Sequence, residues 1–246
     1  MKTFDQEVAE RLAANGTDVE LQARAAEFMR ASLGPRYSYN FSWLGRPIIQ
    51  YPQDIVAMQE ILAAVQPDLV VETGIAHGGS LILSASMLAL NALCGGPADA
   101  RVVGIDIDIR AHNRTAIEAH PLASRITMIE GSSIAPEVVA RVGELAAGRK
   151  RVMVCLDSNH SHAHVLAELE AYAPLTAVGS YCVVFDTIVE TTSECCPPGR
   201  PWGKGNNPAT AVEAYLRDHS DFEVDTAMDH KLLVSVAPGG YLRRVR

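Results

Sequence analysis

Two patterns alternate along the chain: short unbroken apolar runs, and longer segments whose apolar residues recur at helical spacing. The runs at 69–73, 101–106, 126–130, 151–156 and 181–186 consist mainly of Val, Ile, Leu and Met without polar alternation, which predicts strands covered on both faces. Between them, 79–93, 113–119, 136–147 and 162–172 carry the helical pattern. This alternation predicts an α/β fold with a doubly wound, mostly parallel sheet. After a loop at 187–207 come a helix at 208–218 and strands at 222–225 and 231–237. Only Thr226 to His230 would join those last strands, too short a link for a helical crossover, so they are expected to form an antiparallel C-terminal hairpin.

Upstream, Phe4, Val8 and Leu12, then Leu21, Ala25 and Phe28, flank a break at Asn15-Gly16 and predict two amphipathic helices. Residues 34–53 concentrate aromatics and prolines with neither period, which predicts an ordered irregular segment suited to a lid. A helix from Gln53 to Val65 then leads through Pro67 to the first strand. The expected division is an N-terminal helical and lid segment, 1–66, and a domain at 67–246.

Composition narrows the partners. At 246 residues and 48% hydrophobic content, the chain suits one α/β domain with an appendage. A net charge of −8 disfavours nucleic acid, whose binding needs clustered Lys and Arg; Arg149-Lys150-Arg151 falls at a helix-to-strand junction and reads as a solvated turn. Of the cysteines, Cys155 and Cys182 lie inside apolar runs and Cys195-Cys196 lacks C-x-x-C spacing, so buried thiols in a reducing compartment are expected. The acidic first turns lack the apolar core of a signal peptide, and no apolar run nears the ~20 residues that span a bilayer. A cytoplasmic protein with no membrane partner is the expectation, and the N-terminal helices offer a surface for a homo-oligomer.

The chemistry gathers just after the strands, where ligands of open α/β sheets bind. The first run ends in Glu72, then Gly74, Gly78 and Gly79 lead into a helix at Ser80; such a turn lets backbone N–H groups approach a small molecule. The second run ends in Asp106, followed by Asp108, where a carboxylate can bind ribose hydroxyls. Glu130, Gly131, Ser132 and Ser133 follow the third, Asp157 through His160 the fourth, and Asp186 closes the fifth. Asp157 and His160 form a D-x-x-H step that puts an anchor and a base on one turn. A neutral imidazole can take a proton from an alcohol, while Asp157 with Asp186 can hold a Mg²⁺ that acidifies a bound hydroxyl. His160, His162 and His164 invite a zinc reading, since 160 and 164 stand at i, i+4, but no H-E-x-x-H accompanies them.

The segments VETGIAHGGS at 71–80, GIDIDIR at 104–110, HPLASRITMIEGSS at 120–133, LDSNHSHAHVLAELEAYAPL at 156–175, GSYCVVFDT at 179–187 and PGGYLRR at 238–244 resemble the cephalosporin hydroxylase and rhamnosyl O-methyltransferase family across nearly the whole chain. The resemblance implies a seven-stranded Rossmann-like class I methyltransferase sheet using S-adenosylmethionine (SAM), often with Mg²⁺. It implies that Glu72 and Gly74, with Gly78 and Ser80 on the same turn, bind the methionine end of SAM. Asp106 would bind the ribose, Ser132 would neighbour the adenine, and Asp157 would border the cofactor. It also implies Asp157 and Asp186 as metal ligands and His160 as base. This chain departs from the family at two positions, with Phe185 in place of an expected Glu and Asn159 in place of an expected Asp; the first removes a carboxylate from the metal site.

The expected activity is therefore O-methyl transfer from SAM to a hydroxyl of a small molecule: a sugar, or a glycosylated or nucleotide-linked metabolite. Its acceptor would enter between residues 37–51 and the flap at 187–207, where Arg200 and Lys204 could meet a diphosphate. The alternative is a hydroxylase or a non-catalytic auxiliary subunit. A nicotinamide oxidoreductase is disfavoured because Gly74, Gly78 and Gly79 do not give G-x-G-x-x-G.

Overall fold

A computed structural model describes residues 2–192 and 199–246. Its centre is a seven-stranded sheet of β3 (Leu69–Thr73), β4 (Arg101–Asp106), β5 (Ile126–Glu130), β6 (Val152–Leu156), β7 (Tyr181–Val184), β8 (Phe222–Val224) and β9 (Tyr241–Arg244), in the order β5-β4-β3-β6-β7-β9-β8. Pairing is parallel from β5 through β7, and β9 runs antiparallel to both β7 and β8. All five residues of β3 are buried. Alternate residues feed opposite layers, Val70, Val102 and Met153 on one face and Val71, Val103 and Val154 on the other. This is the physical basis of the unbroken apolar runs.

Helices α3 (Pro52–Val65), α4 (Gly79–Leu93) and α10 (Thr226–Leu232) cover the first face through residues such as Met58, Leu62, Leu81, Leu88 and Met228. The other is covered by α6 (Pro136–Ala146), α7 (His162–Tyr172) and α9 (Pro208–Asp218), through Val138, Val142, Leu169 and Tyr215. Helix α5 (Ala111–Glu118) buries Ile117 on the α4 side, and the single-turn α8 (Val189–Thr192) follows β7. The N-terminal α1 (Phe4–Thr17) buries no residue, while α2 (Val19–Leu33) inserts Met29 into the first core. No helix among the described residues is long and apolar enough to cross a membrane.

Three expectations need correction. The run at 231–237 is not a strand: Asp225 caps α10 by accepting from the Met228 N–H, the chain stays helical to Leu232, and the last strand is Tyr241–Arg244. The antiparallel relation of the last two strands survives, but their connection contains a helix. The first two helices divide at Asp18 rather than at Asn15-Gly16, because the Asp18 side chain accepts from the Leu21 N–H and starts α2. Gly16 stays inside α1, where the His230 ring occupies the space a Cβ would need. Finally, the segment thought irregular contains a hairpin, β1 (Phe41–Trp43) and β2 (Arg46–Ile48), turning through Leu44 and Gly45 at φ 44° and 85°. Such paired positive φ values suit a tight hairpin turn. Cys155 and Cys182 are buried free thiols, and Cys195-Cys196 lies outside the described residues.

Candidate active site

A cavity of about 700 Å³ opens above the carboxyl ends of β3, β6 and β7. Its walls come from residues 33–51 on one side and from residues 186–192, Arg200 and Trp202 on the other. The β1–β2 hairpin reaches this position by packing on the start of α4, where a Cβ on Gly79 would overlap the Pro47 carbonyl. Gly74, at φ 89°, likewise has its Cβ space filled by the Asp157 carbonyl, so the ends of β3 and β6 touch through their backbones. Only glycine allows that approach in that conformation.

Asp157, His160 and Asp186 converge in this cavity. Each contributes one ligand-type atom, and those atoms lie within 4.8 Å of one another. His160 Nε2 is 3.1 Å from Asp186 Oδ2. Asp186 adopts the left-handed φ of 56°, an uncommon conformation for an L side chain outside turns. Gln50 Nε2 donates to Asp157 Oδ2 at 3.4 Å, while the buried Gln50 Oε1 has no partner among the described residues. The Trp202 ring meets His160 edge-on, with centroids 4.9 Å apart. Burial, followed by the like charge of Asp186, holds the Asp157 carboxyl well above the usual carboxylate range. These groups form a deprived acidic floor, with room for a cation or a hydroxyl donor to satisfy it.

The glycine turn is built separately. Glu72, buried at the end of β3, accepts from the Ser80 hydroxyl. Burial pushes its carboxyl up to about 7, against the pull of that hydrogen bond. Asp106 Oδ2 accepts from the N–H groups of Ile75 and Ala76 at 2.8 and 3.2 Å, and Oδ1 from Asp108 at 3.1 Å. Arg46 and Asn113 clamp the same turn, Arg46 donating to the His77 carbonyl and to Asn113 Oδ1, and Asn113 to the Ala76 carbonyl. Gly78, at φ 83°, is the N-cap of α4 and offers no side chain, so the first helical N–H groups are left for a ligand.

Of the residues singled out by sequence, Gly74, Ser80, Asp157, His160 and Asp186 line the cavity. Glu72 sits beneath Ser80, Asp106 and Gly78 support the turn, and Ser132 follows β5 at the same sheet edge. The three histidines of the zinc reading diverge. His162 Nδ1 meets Thr210 Oγ1, and His164 Nε2 lies among Ser133, Ser158 and the buried Glu168. Phe185 is buried in the first core and supplies no donor. Lys204 does not line the cavity, whereas Arg200 does, joined by Gln50 and Trp202, which the sequence placed only as parts of the framing segments, and by Arg36, which sequence reasoning missed. Gln50 carried a faint signal, as the one polar amide in the run Pro47-Ile48-Ile49-Gln50-Tyr51-Pro52.

Comparison with known proteins agrees with this architecture. The model of the family described as rhamnosyl O-methyltransferase/CmcI matches residues 35–245. The rhamnosyl O-methyltransferase of Mycobacterium leprae is 31% identical over 209 residues, covering 82% of this chain and 82% of its own. That of Mycobacterium tuberculosis is 30% identical over 198 residues, covering 78% of this chain and 73% of its own. Among solved structures, the O-methyltransferase TomG from Streptomyces achromogenes, in complex with SAM, superposes with a TM-score of 0.56 at 16% identity, over 94% of this chain and 92% of that one. A CmcI structure with Mg and SAM gives 0.55 at 22% identity, over 85% and 78%. At those identities, the structural likeness speaks to the fold.

Proposed function

The chain belongs to the rhamnosyl O-methyltransferase/CmcI family of SAM-dependent O-methyltransferases, and we propose that it methylates a hydroxyl of a small sugar, or of a glycosylated or nucleotide-linked metabolite, with His160 as general base. The observation that carries this reading is the convergence of His160, Asp157 and Asp186 beside the Gly74–Ser80 turn in one cavity.

The residues present fit SAM. The uncapped start of α4 supplies N–H donors for a carboxylate, Gly74 and Gly78 take the positive φ values that shape the turn, and Ser80 over Glu72 gives a polar wall for the methionine end. Asp106 Oδ1, which among the described residues is engaged only by Asp108, is the oxygen we assign to the ribose hydroxyls, and Ser132 is assigned to the adenine side. When bound, SAM supplies an activated methyl group. The chain must then align the acceptor and remove one proton. His160 receives that proton, and Asp186 sets a negative charge 3.1 Å from the ring that becomes positive. Gln50 Oε1 and Asp157 can accept from neighbouring hydroxyls of the acceptor, which orients the reacting one toward His160.

Asp157, Asp186 and His160 also fit a divalent cation such as Mg²⁺, which when bound would lower the pKa of the acceptor hydroxyl. Phe185 leaves this set with two carboxylates, so the cation is the less secured of the two groups. Incubation with labelled SAM and a panel of sugars and nucleotide sugars, with and without chelator, tests both. Product should gain about 14 mass units; a gain of about 16 would identify hydroxylation instead. His160→Ala should lower turnover by ~10² to 10⁴ while calorimetry finds SAM affinity unchanged; equal turnover removes His160 as base.

A further inference from the structure

The acidic floor has a basic counterpart at the cavity walls. Arg36 lines the cavity from the N-terminal segment and Arg200 from the loop after β7. Arg36 takes a left-handed φ of 55° just before the turn at Tyr37–Asn40, and its guanidinium lies 5.7 Å from the centre of the Tyr39 ring. The Arg200 guanidinium lies 5.0 Å from the centre of the Trp202 ring, the ring that also packs on His160. Both arginines are exposed, and neither pairs with a carboxylate among the described residues. Elsewhere in the chain Arg46, Arg114, Arg149 and Arg244 find acceptors.

A guanidinium stacked on a ring keeps its edge N–H donors free and loses little freedom when it binds, a preparation suited to bidentate grip on phosphate oxygens. The cavity is thus polarised, with Asp157 and Asp186 at the reacting end and two positive forks in the walls. We infer that the acceptor carries a phosphate or diphosphate ester, held by Arg36 and Arg200 while its hydroxyl reaches His160. A free sugar or neutral glycoside would leave both forks unfilled, so charge selects the acceptor as well as attracting it. The inference rests on the proposed methyl transfer for the role of His160, but it is read out by binding alone.

Calorimetry with uridine diphosphate glucose and with neutral methyl glucoside as probes tests it on the intact protein. The nucleotide sugar should bind, inorganic diphosphate should compete with it, and Arg36→Gln and Arg200→Gln should each weaken it by ~10-fold or more. Because both side chains are exposed, melting temperatures should not move, and a separate SAM titration should be unaffected. Equal binding of the neutral glucoside, or full affinity in both variants, overturns the phosphate assignment and leaves methyl transfer standing. Failure to bind SAM with phosphate binding intact would instead sink the proposed reaction.

Discussion

Asp54 and Asp157 are two enclosed carboxylates in one core, yet their surroundings differ in the respect that separates scaffolding from chemistry. Asp54, on the first turn of α3, accepts from the Ser235 hydroxyl, the Val236 N–H and the Tyr241 hydroxyl, at 2.6 to 3.0 Å. Its carboxyl is pushed up to about 6 by burial, against those three donors. Asp157 has one long bond from Gln50 and faces Asp186. A satisfied buried carboxylate ties α3 to the C-terminal segment; an unsatisfied one at a cavity waits for a ligand.

The same exchange at both positions is the sharpest way to break the comparison. Asp157→Asn should lower turnover by ~10² or more while the apoprotein melts no lower than wild type, because like charge is relieved and Gln50 can still pair. An unfolded Asp157→Asn variant would show that Asp157 is scaffolding too. Asp54→Asn keeps the volume but presents an N–H₂ to donors, so it should cost about 1 to 3 kcal/mol in denaturant unfolding with SAM affinity retained. Undiminished stability there would undo the contrast from the other side.

Glu72 lies between these cases, buried with a single hydroxyl donor. Its folded-state carboxyl titrates at about 7, above the unfolded value of 4.5. In that window the native state holds the extra proton, so unfolding free energy falls as pH rises. The wild-type apoprotein should therefore lose roughly 2 to 3 kcal/mol relative to Glu72→Gln between about pH 5 and about pH 8. Parallel stability curves for the two proteins would show that Glu72 is already ionised in the fold. The smallest effect is expected at Asp106. Asp106→Ala should weaken SAM by about tenfold through loss of the Ile75 and Ala76 bonds and of the Oδ1 acceptor, and unchanged affinity would assign the ribose elsewhere.

The strands at 69–73, 101–106 and 152–156 were legible because burial on both faces demands unbroken apolar residues, and the polar rim because parallel topology puts the ends of β3 to β7 on one edge. Asp157, His160 and Asp186 were legible for the same reason. The run at 231–237 was not. Leu232, Leu233 and Val234 are apolar in either period, and the decisive signal, the Asp225 cap, is local to the turn before them. Gln50 and Trp202 were legible only as members of the two segments expected to frame the entrance, and Arg36 not at all, since nothing in their own segments fixes which strand ends each side chain will cover.

Sequence alone determined the order and kind of the sheet's main elements and the chemical types gathered on its edge, because those follow from periodicity and from the rule that parallel strands share a direction. Only the tertiary structure decided which carboxylates are satisfied and which are left facing the cavity. It also decided that two arginines from segments far apart in the chain share its walls. Hydrogen-bond satisfaction and charge pairing depend on partners brought from elsewhere, and no local pattern encodes them.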